Sequence, residues 1–228
     1  MANSATVPVI AIDGPGGAGK GTICRLVAAK LGWHLLDSGS LYRITAYAAA
    51  LRGLDLQDSA AVAEVARTLD VRFAEAAESV SVIFEESDIT NLIRTEKAGS
   101  SASIVAADPA VRAALIDRQR AFAQPPGLVA DGRDMGSVVF PGAALKVYLT
   151  ASVAERARRR YKQLKDKGMD VSLPALSQDM EARDRRDSQR AVAPLRACED
   201  ARVLDSTQLG IAEVVDLVIS WASEVYAV

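Results

Sequence analysis

The feature that most constrains this chain is a glycine-rich stretch near its start, Gly14–Thr22. An apolar run rich in β-branched residues, Val7–Ile12, precedes the stretch and predicts a buried strand. An amphipathic helix follows it and is expected to end at Gly32. A strand, a glycine loop and a helix in this order form a phosphate cradle, because the loop turns its N–H groups inward and the helix dipole attracts an anion.

The loop predicts binding of a nucleoside triphosphate, and the side chain of Lys20 adds a full positive charge. The generic pattern has Ser or Thr directly after the lysine, whereas this chain has Gly21 there and Thr22 one place later. That departure leaves the magnesium ligands unknown. A tight strand-to-helix turn without a ligand is the alternative interpretation. The predicted triphosphate-binding residues are Gly14, Pro15, Gly16, Gly17, Ala18, Gly19, Lys20, Gly21 and Thr22.

The composition is that of an ordinary globular protein and argues against several other classes. The 228 residues suffice for one α/β domain with insertions, and half of them are apolar. A net charge of −2 argues against a protein that binds duplex nucleic acid. Two cysteines and one histidine, His34, are present without a metal-type spacing. The first residues, Met1–Thr6, lack the basic and apolar regions of a leader, and no run is long enough to cross a bilayer, so we expect a cytoplasmic location and no membrane partner.

The order of predicted elements favours five parallel strands with helices on both faces. A single domain, 1–228, is expected to have a core in three pieces: residues 7–37, 125–150 and 195–228. Residues 38–124 and 152–190 interrupt this core as insertions. The first insertion carries an alternating pattern over Val71–Phe84, which predicts a small antiparallel hairpin with its turn at Glu75–Glu78.

Helix-capping residues and the helix-breaking residues Gly and Pro predict where helices and strands begin and end. Trp33–Leu36 is expected to form a short strand, and the next helix is expected to carry Tyr42 and Arg43 in its first turn. A cation in a first turn opposes the helix dipole, which indicates that Arg43 is present to bind an anion. A solvated arginine is the alternative.

Later helices are predicted in the same way. One is expected over Asp88–Ala106, and another begins at Asp108-Pro109 and is expected to end at Pro125–Gly127. A further helix is expected to present three residues on one face, at i, i+4 and i+7: Arg183, Asp187 and Arg190.

A phosphoryl transferase must hold a donor and an acceptor, neutralise their phosphates and exclude water. Arginines should therefore outnumber conventional catalytic bases at its site. Four arginines next to turns or polar runs fit this expectation: Arg43, Arg133, Arg183 and Arg190. The alternative is that Arg156–Arg160 and Arg183–Arg190 are solvated faces with alternating charge.

The chain carries three groups of motifs: Ile12–Thr22 with Leu36–Gly39 and Tyr42-Arg43; Asp131–Gly136 with Val139–Pro141; and Arg183–Leu195. The first group resembles the nucleoside monophosphate kinases. All three together resemble the bacterial cytidylate kinase family over nearly the full chain. The order Gly21-Thr22 after the lysine is normal for that family.

The resemblance implies a P-loop NTPase-type fold, in which 38–124 is a monophosphate-binding insertion and 152–190 comprises a lid and the helix after it. It implies transfer of a phosphoryl group from ATP to CMP or dCMP with Mg²⁺, giving ADP and CDP or dCDP. The expected partners are these small molecules and no nucleic acid, and a monomer is expected.

The resemblance also assigns roles to individual residues. The catalytic residues that it implies are Lys20, Arg133, Arg190 and, from a lid helix over Arg156–Lys167, Arg159. The substrate-binding residues that it implies are Ser38, Arg43, Ser103, Arg112, Arg133, Asp134, Arg183, Asp187 and Arg190. Within this set the CMP phosphate is assigned to Arg43, Arg133 and Arg190, the sugar to Arg183 and Asp187, and the base to Ser103, Arg112 and Asp134.

Cytosine suits such a base site, because Asp134 can accept a hydrogen bond from its amino group and Arg112 can donate to N3 or O2. Uracil reverses these groups and would leave buried partners unpaired. A kinase of the same fold with another small acceptor is the nearest alternative. A GTPase switch would need an Asn-Lys-x-Asp motif, which Asn3 and Asn91 do not provide. An RNA-binding protein would need a net basic charge and an aromatic cluster.

Overall fold

The computed structural model describes residues 7–76, 79–166 and 168–226. Eight strands lie in these residues: β1 (Val9–Asp13), β2 (His34–Asp37), β3 (Val71–Ala76), β4 (Ser79–Phe84), β5 (Ser87–Asp88), β6 (Leu128–Gly132), β7 (Leu145–Thr150) and β8 (Arg202–Asp205). The same residues contain eight α-helices: α1 (Lys20–Leu31), α2 (Ser38–Leu51), α3 (Ser59–Arg67), α4 (Glu96–Val105), α5 (Pro109–Arg120), α6 (Val153–Asp166), α7 (Leu173–Ser188) and α8 (Ile211–Val225). Four predictions concern residues outside the described ranges: the prediction of no leader at Met1–Thr6, the hairpin-turn residues Ala77 and Glu78, the lid residue Lys167, and the end of the core at Ala227 and Val228.

A five-stranded parallel sheet, in the order β2-β6-β1-β7-β8, confirms the predicted α/β fold. β1 lies at its centre, where Ile12 is paired with Asp131 of β6 and with Val147 of β7. Parallel strands bring their carboxyl ends to the same edge of a sheet, which is where open α/β sheets bind ligands. Asp13 and Asp131 therefore lie at the edge from which the glycine loop leaves β1.

Packing on both sides of the central strand explains its continuous apolar sequence. All five residues of β1 are buried. Helices α1 and α8 pack against each other and against the sheet, and they contribute the fully buried side chains of Val27 and Val218 to the core. Each side chain of this size that leaves water contributes about 1.5–3 kcal/mol to folding.

The chain forms two compact units. One comprises the chain up to Asp37 together with the chain from Gln119 onward, and the other comprises Ser38–Arg118. The first unit contains the five-stranded sheet. The second contains α2, α3, α4 and a three-stranded antiparallel sheet in the order β3-β4-β5. Val71 pairs with Phe84 at one end of this second sheet, so the strand pairing confirms the predicted hairpin.

Helix α2 begins directly after β2, at Ser38. Tyr42 and Arg43 therefore lie in its second turn. The prediction of a cation in the first turn is wrong, and the argument from the helix dipole does not apply to Arg43, because that effect is confined to the end turn. Strand β2 is likewise displaced by one residue, to His34–Asp37 rather than Trp33–Leu36.

The predicted helix over Asp88–Ala106 is wrong in its first half. The segment begins in β5, continues through a short 3₁₀ turn at Leu92–Arg94 and becomes α-helical only at Glu96. Thr90 accounts for the difference, because its Oγ1 accepts a hydrogen bond of 2.8 Å from the N–H of Val82 and ties the segment to β4.

Helix α5 is also shorter than predicted. It ends at Arg120 rather than at Pro125–Gly127, and a turn follows in which the N–H of Phe122 donates to the carbonyl of Gln119 at 3.2 Å. Of the helices in the described ranges, none has both the length and the apolar sequence that a bilayer span requires.

Gly127→Ala is expected to destabilise the first unit, because a Cβ there would lie 2.3 Å from the indole of Trp33. Gly127 is buried immediately before β6, so the backbone has little freedom to move away. We expect a loss of about 1–3 kcal/mol in the free energy of unfolding, measured with urea. The matched control is Gly142→Ala, where a Cβ would meet nothing within 4 Å. A loss in the control as large as in Gly127→Ala would contradict the packing argument.

Candidate active site

The glycine loop begins where the backbone of β1 passes very close to β7. Gly14 has φ +151°, and a Cβ on it would lie 1.9 Å from the carbonyl oxygen of Leu149, so only glycine fits. Gly19 then adopts φ +95° and starts α1. Within the described residues no side chain caps this helix start. The uncapped helix start, with its dipole, therefore favours the binding of an anion.

Lys20 is the first residue of α1 and its side chain is buried, with 5% of its surface exposed. Its Nζ donates to the carbonyl of Pro15 at 3.0 Å and lies 3.8 Å from Oδ1 of Asp131. Burial, and secondly the charge of Arg133, lower the pKa of Lys20 to about 8, and Asp131 offsets only part of this effect. The positive charge of Lys20 is therefore compensated only in part by Asp131, and a bound phosphate would compensate it further.

Three arginines surround the buried carboxylate of Asp187, near the end of α7. Nη2 of Arg190 lies 2.8 Å from Oδ1 of Asp187, and Nε of Arg133 donates to Oδ2 at 3.2 Å. Nε of Arg183 lies 3.9 Å from the same Oδ2. Three positive charges thus share one carboxylate, and the excess positive charge favours the binding of an anion. We refer to these four residues as the arginine cluster.

The arginine cluster and the glycine loop are in contact at Gly16. A Cβ on Gly16 would lie 3.5 Å from Nη1 of Arg183 and 3.6 Å from Nη2 of Arg133. Two groups that attract phosphate are therefore neighbours within the first unit. The sequence predicted each of these groups, and the structure brings them together.

Arg190 was predicted to lie on the same helix as Arg183 and Asp187, but it follows the end of that helix. Helix α7 ends at Ser188, so the prediction of one helical face for all three residues is wrong for Arg190. The chain turns because the carbonyl of Asp187 accepts a hydrogen bond of 2.8 Å from the N–H of Leu195. The side chain of Arg190 is only 3% exposed, and its Nε has no hydrogen-bond partner among the described residues.

Arg156, which the sequence placed at the start of the lid helix without a role of its own, is a buried residue of the site. Its guanidinium donates to three groups: the carbonyl of Ala151 at 3.0 Å, the carbonyl of Gly16 at 2.9 Å and Oδ2 of Asp184 at 2.6 Å. It therefore connects the glycine loop with α6 and α7. A sequence signal for it exists, because Arg156 lies beside Ala157 and Leu164, whose seven-residue spacing marks the buried face of α6.

Arg159, the predicted catalytic arginine of the lid, lies near the start of α1. Its Nη1 is 4.0 Å from the position that a Cβ on Gly19 would occupy. The same guanidinium donates to the carbonyl of Ser206 at 2.6 Å and to Oε1 of Glu155 at 2.8 Å. Arg158, by contrast, is 74% exposed. The α6 arginines are therefore not all on a solvated face.

Asp134 is buried at the start of a π-helical turn, Met135–Val139, which the sequence did not predict. Asp13, the last residue of β1, accepts hydrogen bonds of 2.8 Å from the N–H groups of Met135 and Gly136. Burial raises the pKa of Asp13 to about 6, while the two N–H groups act in the opposite direction.

The remaining predicted substrate residues belong to the second unit. Arg43 donates through Nη1 to the carbonyls of Ile93 and Thr95, at 2.7 and 3.3 Å. Arg112 donates through Nη1 to the carbonyl of Ala106 at 3.2 Å, and its guanidinium carbon lies 5.8 Å from the centre of the Tyr42 ring. The side chains of two further residues are buried: Ser38 and Ser103.

The donor set at the glycine loop fits Mg²⁺. In the described parts of the chain, no three or more His, Cys, Asp or Glu side chains form a group that could hold a metal ion. Mg²⁺ does not need such a group, because it keeps several waters and binds through one or two carboxylates together with substrate phosphates. Asp131 can provide a carboxylate, since its Oδ2 lies 3.5 Å from the position of a Cβ on Gly21.

Comparison with known proteins agrees with this geometry. The family model described as cytidylate kinase matches residues 10–224. Cytidylate kinase of Aeromonas salmonicida is 55% identical over 217 residues, which cover 95% of this chain and 94% of that protein. The corresponding protein of Pseudomonas paraeruginosa is 57% identical over 218 residues, 95% of either chain. That of Methylococcus capsulatus is 56% identical over 215 residues, 94% of this chain and 96% of its own. The resemblance inferred from the motifs is confirmed, and the chain belongs to the cytidylate kinase family.

Proposed function

We propose that this chain transfers the γ-phosphoryl group of ATP to the phosphate of CMP or dCMP, giving ADP and CDP or dCDP. As a member of its family, it is an ATP-dependent nucleoside monophosphate kinase. The assignment of residues depends on one observation at Gly16 of the glycine loop. A Cβ added there would lie within 3.6 Å of Arg133 and of Arg183, two members of the arginine cluster. A phosphate held by the loop and a phosphate held by the cluster would therefore be neighbours.

The reaction is a displacement at phosphorus. A phosphate oxygen of CMP forms a bond to the γ-phosphorus of ATP while the bond from that phosphorus to the β–γ bridging oxygen breaks. The loop Gly14–Thr22 binds the ATP phosphates, and Lys20 stabilises the charge on the transferred group. Arg133 and Arg190 reduce the repulsion between the two phosphates and orient the attacking oxygen. Asp131, together with the ATP phosphates, would hold Mg²⁺, which when bound would supply further charge neutralisation.

The other assignments follow the family pattern at matching positions. Arg43 binds the CMP phosphate together with Arg133 and Arg190, and Arg159 closes over the phosphates from α6. The proposed sugar contacts are Arg183 and Asp187, and the proposed base contacts are Ser103, Arg112 and Asp134; Ser38, at the carboxyl end of β2, completes the substrate-binding set. A monomer without a nucleic-acid partner belongs to the same proposal, and the net charge of −2 supports the second part of it. A cytoplasmic location is part of the same proposal.

The acceptor base and the metal are tested together. With ATP as the donor and Mg²⁺ present, CMP or dCMP should be phosphorylated at least about 10²-fold more efficiently than UMP, AMP or GMP, because a mismatched base leaves buried polar groups unpaired. A metal chelator in excess should abolish the transfer. Faster phosphorylation of AMP than of CMP would contradict the base assignment, and full activity with the chelator would contradict the proposal for Mg²⁺.

Arg133→Ala is expected to reduce turnover by about 10²–10³-fold, since one phosphate-binding cation is lost. Its effect on stability should be small, because Arg133 is one of three cations that share Asp187, and removing it relieves their mutual repulsion. Steady-state kinetics and thermal unfolding measure the two effects. Arg158→Ala is the matched control, since this exposed side chain pairs only with Glu155 of its own helix among the described residues. A fall in activity no larger than in the control would contradict the role of Arg133.

Lys20→Met should raise the thermal midpoint while lowering turnover by about 10³-fold. The pKa of Lys20 is lowered to about 8, so the folded protein disfavours its charge and a buried apolar chain of similar length fits better. Between about pH 8 and 10.5, the ordinary pKa of a lysine, the unfolded state binds more protons than the folded state. The stability of the wild type should therefore rise with pH across this window. The variant should lack that rise. A lower thermal midpoint in Lys20→Met would show that the lysine stabilises the nucleotide-free fold instead.

A further inference from the structure

The carboxylate of Asp13 takes no direct part in the phosphoryl transfer proposed above. It is the last residue of β1 and immediately precedes the phosphate-binding loop. Its side chain is buried, with 5% of its surface exposed. Burial of a carboxylate is unfavourable unless hydrogen bonds compensate for the lost water. The partners of Asp13 therefore indicate what the residue does.

Two backbone N–H groups provide that compensation. The N–H of Met135 donates to Oδ1 of Asp13 and the N–H of Gly136 donates to Oδ2, each at 2.8 Å. These amides open the π-helical turn Met135–Val139. An ionised carboxylate accepts both hydrogen bonds at once, and hydrogen bonds to an ionised acceptor are the stronger kind.

Asp13 also holds the chain on the other side of Arg133 and Asp134. Its backbone is paired with Gly132, the last residue of β6. Only two residues, Arg133 and Asp134, connect Gly132 with Met135. The main chain of Asp13 therefore fixes the start of this two-residue link, and its side chain fixes the end.

A second contact limits how the turn can move. A Cβ on Gly136 would lie 3.0 Å from Cδ of Lys146 and 3.4 Å from Sγ of Cys198. Lys146 is itself held by an ion pair of 2.7 Å with Asp200. The turn is therefore packed closely against Lys146 on one side. The hydrogen bonds to Asp13 limit the movements of the turn that this packing still allows.

We propose that Asp13 is a positioning residue for the acceptor nucleotide: its carboxylate holds the turn after β6 so that Arg133 and Asp134 are oriented for the phosphate and the base of CMP. This inference rests on the proposed function, in which those two residues contact the acceptor. It adds a residue that touches neither nucleotide. Asp13 immediately precedes the ATP-binding loop, but under this proposal it affects the binding of CMP.

Asp13→Asn tests the proposal with almost no change of shape. The amide oxygen can accept one of the two hydrogen bonds, but the amide nitrogen is a donor and faces the second N–H. With ATP saturating, the KM for CMP should rise about tenfold, and the preference for CMP over UMP should fall by a similar factor. The KM for ATP should change by less than about twofold, because the glycine loop keeps its own backbone contacts.

Val218→Ala is the matched control for a general loss of stability. Val218 is fully buried on α8, so its truncation should destabilise the same unit. Both KM values and the preference for CMP over UMP should stay at wild-type levels in this control. Hydrogen exchange of the nucleotide-free protein gives a readout that is independent of activity. The amides of Met135 and Gly136 should exchange faster in Asp13→Asn, and faster relative to the amides of β1 than they do in the control.

Three results would overturn the proposal: an unchanged KM for CMP in Asp13→Asn, an equal rise in the KM for both substrates, or unchanged protection of the two amides. If the wild type failed to phosphorylate CMP, the proposed function would fail. The exchange measurement would then still decide whether Asp13 holds the turn.

Discussion

Excess positive charge at one edge of the parallel sheet is the constraint on which the rest of the structure depends. Arg133, Arg183 and Arg190 share a single buried carboxylate, Asp187. Lys20 adds a further cation, and its pKa is lowered to about 8, first by burial and then by Arg133. In the ion pairs described above, these four cations share two carboxylates, Asp187 and Asp131. That arrangement reduces the stability of the empty fold and favours polyphosphate ligands, a common compromise at functional sites.

Cations that repel one another keep their positions only if the backbone around them is rigid. The close passage of Gly14 against the carbonyl of Leu149 fixes the start of the phosphate-binding loop relative to β7. Arg156 fixes its middle, because it binds the carbonyl of Gly16 and the carboxylate of Asp184 on α7, the helix that also carries Arg183 and Asp187. The loop is thus tied by hydrogen bonds of Arg156 to the helix that carries part of the cluster. A site that brings two polyanions together requires this preorganisation, since the groups that stabilise the transferred phosphate must already be in place.

Local patterns explain which features could be predicted from the sequence. The glycine spacing of the loop and the apolar run of β1 are local, and both the loop and the parallel sheet were predicted correctly. The family motifs indicated the arginine cluster, although the end of α7 was misplaced because it depends on Leu195, seven residues beyond the helix end. The burial of Arg156 and the hydrogen bonds of Asp13 were missed, since their partners lie far away in the chain. The catalytic and substrate roles assigned to individual residues stay predictions in both units, for example those of Arg133 and Arg190 in the first unit and of Arg43 and Arg112 in the second.

The turn after β6 shows how the fold can keep two neighbouring buried carboxylates. The charge of Asp134 raises the pKa of Asp13, in addition to the larger effect of burial. Without compensation, one member of such a pair would be protonated at neutral pH. The N–H groups of Met135 and Gly136, and less strongly Lys20, counteract this rise and keep the pKa of Asp13 near 6. By compensating the charge of Asp13, the two amides also hold the turn that follows Asp134. In the proposed base site, a carboxylate at position 134 would act as an acceptor only, which matches the amino group of cytosine and opposes the carbonyl that uracil presents at the same position.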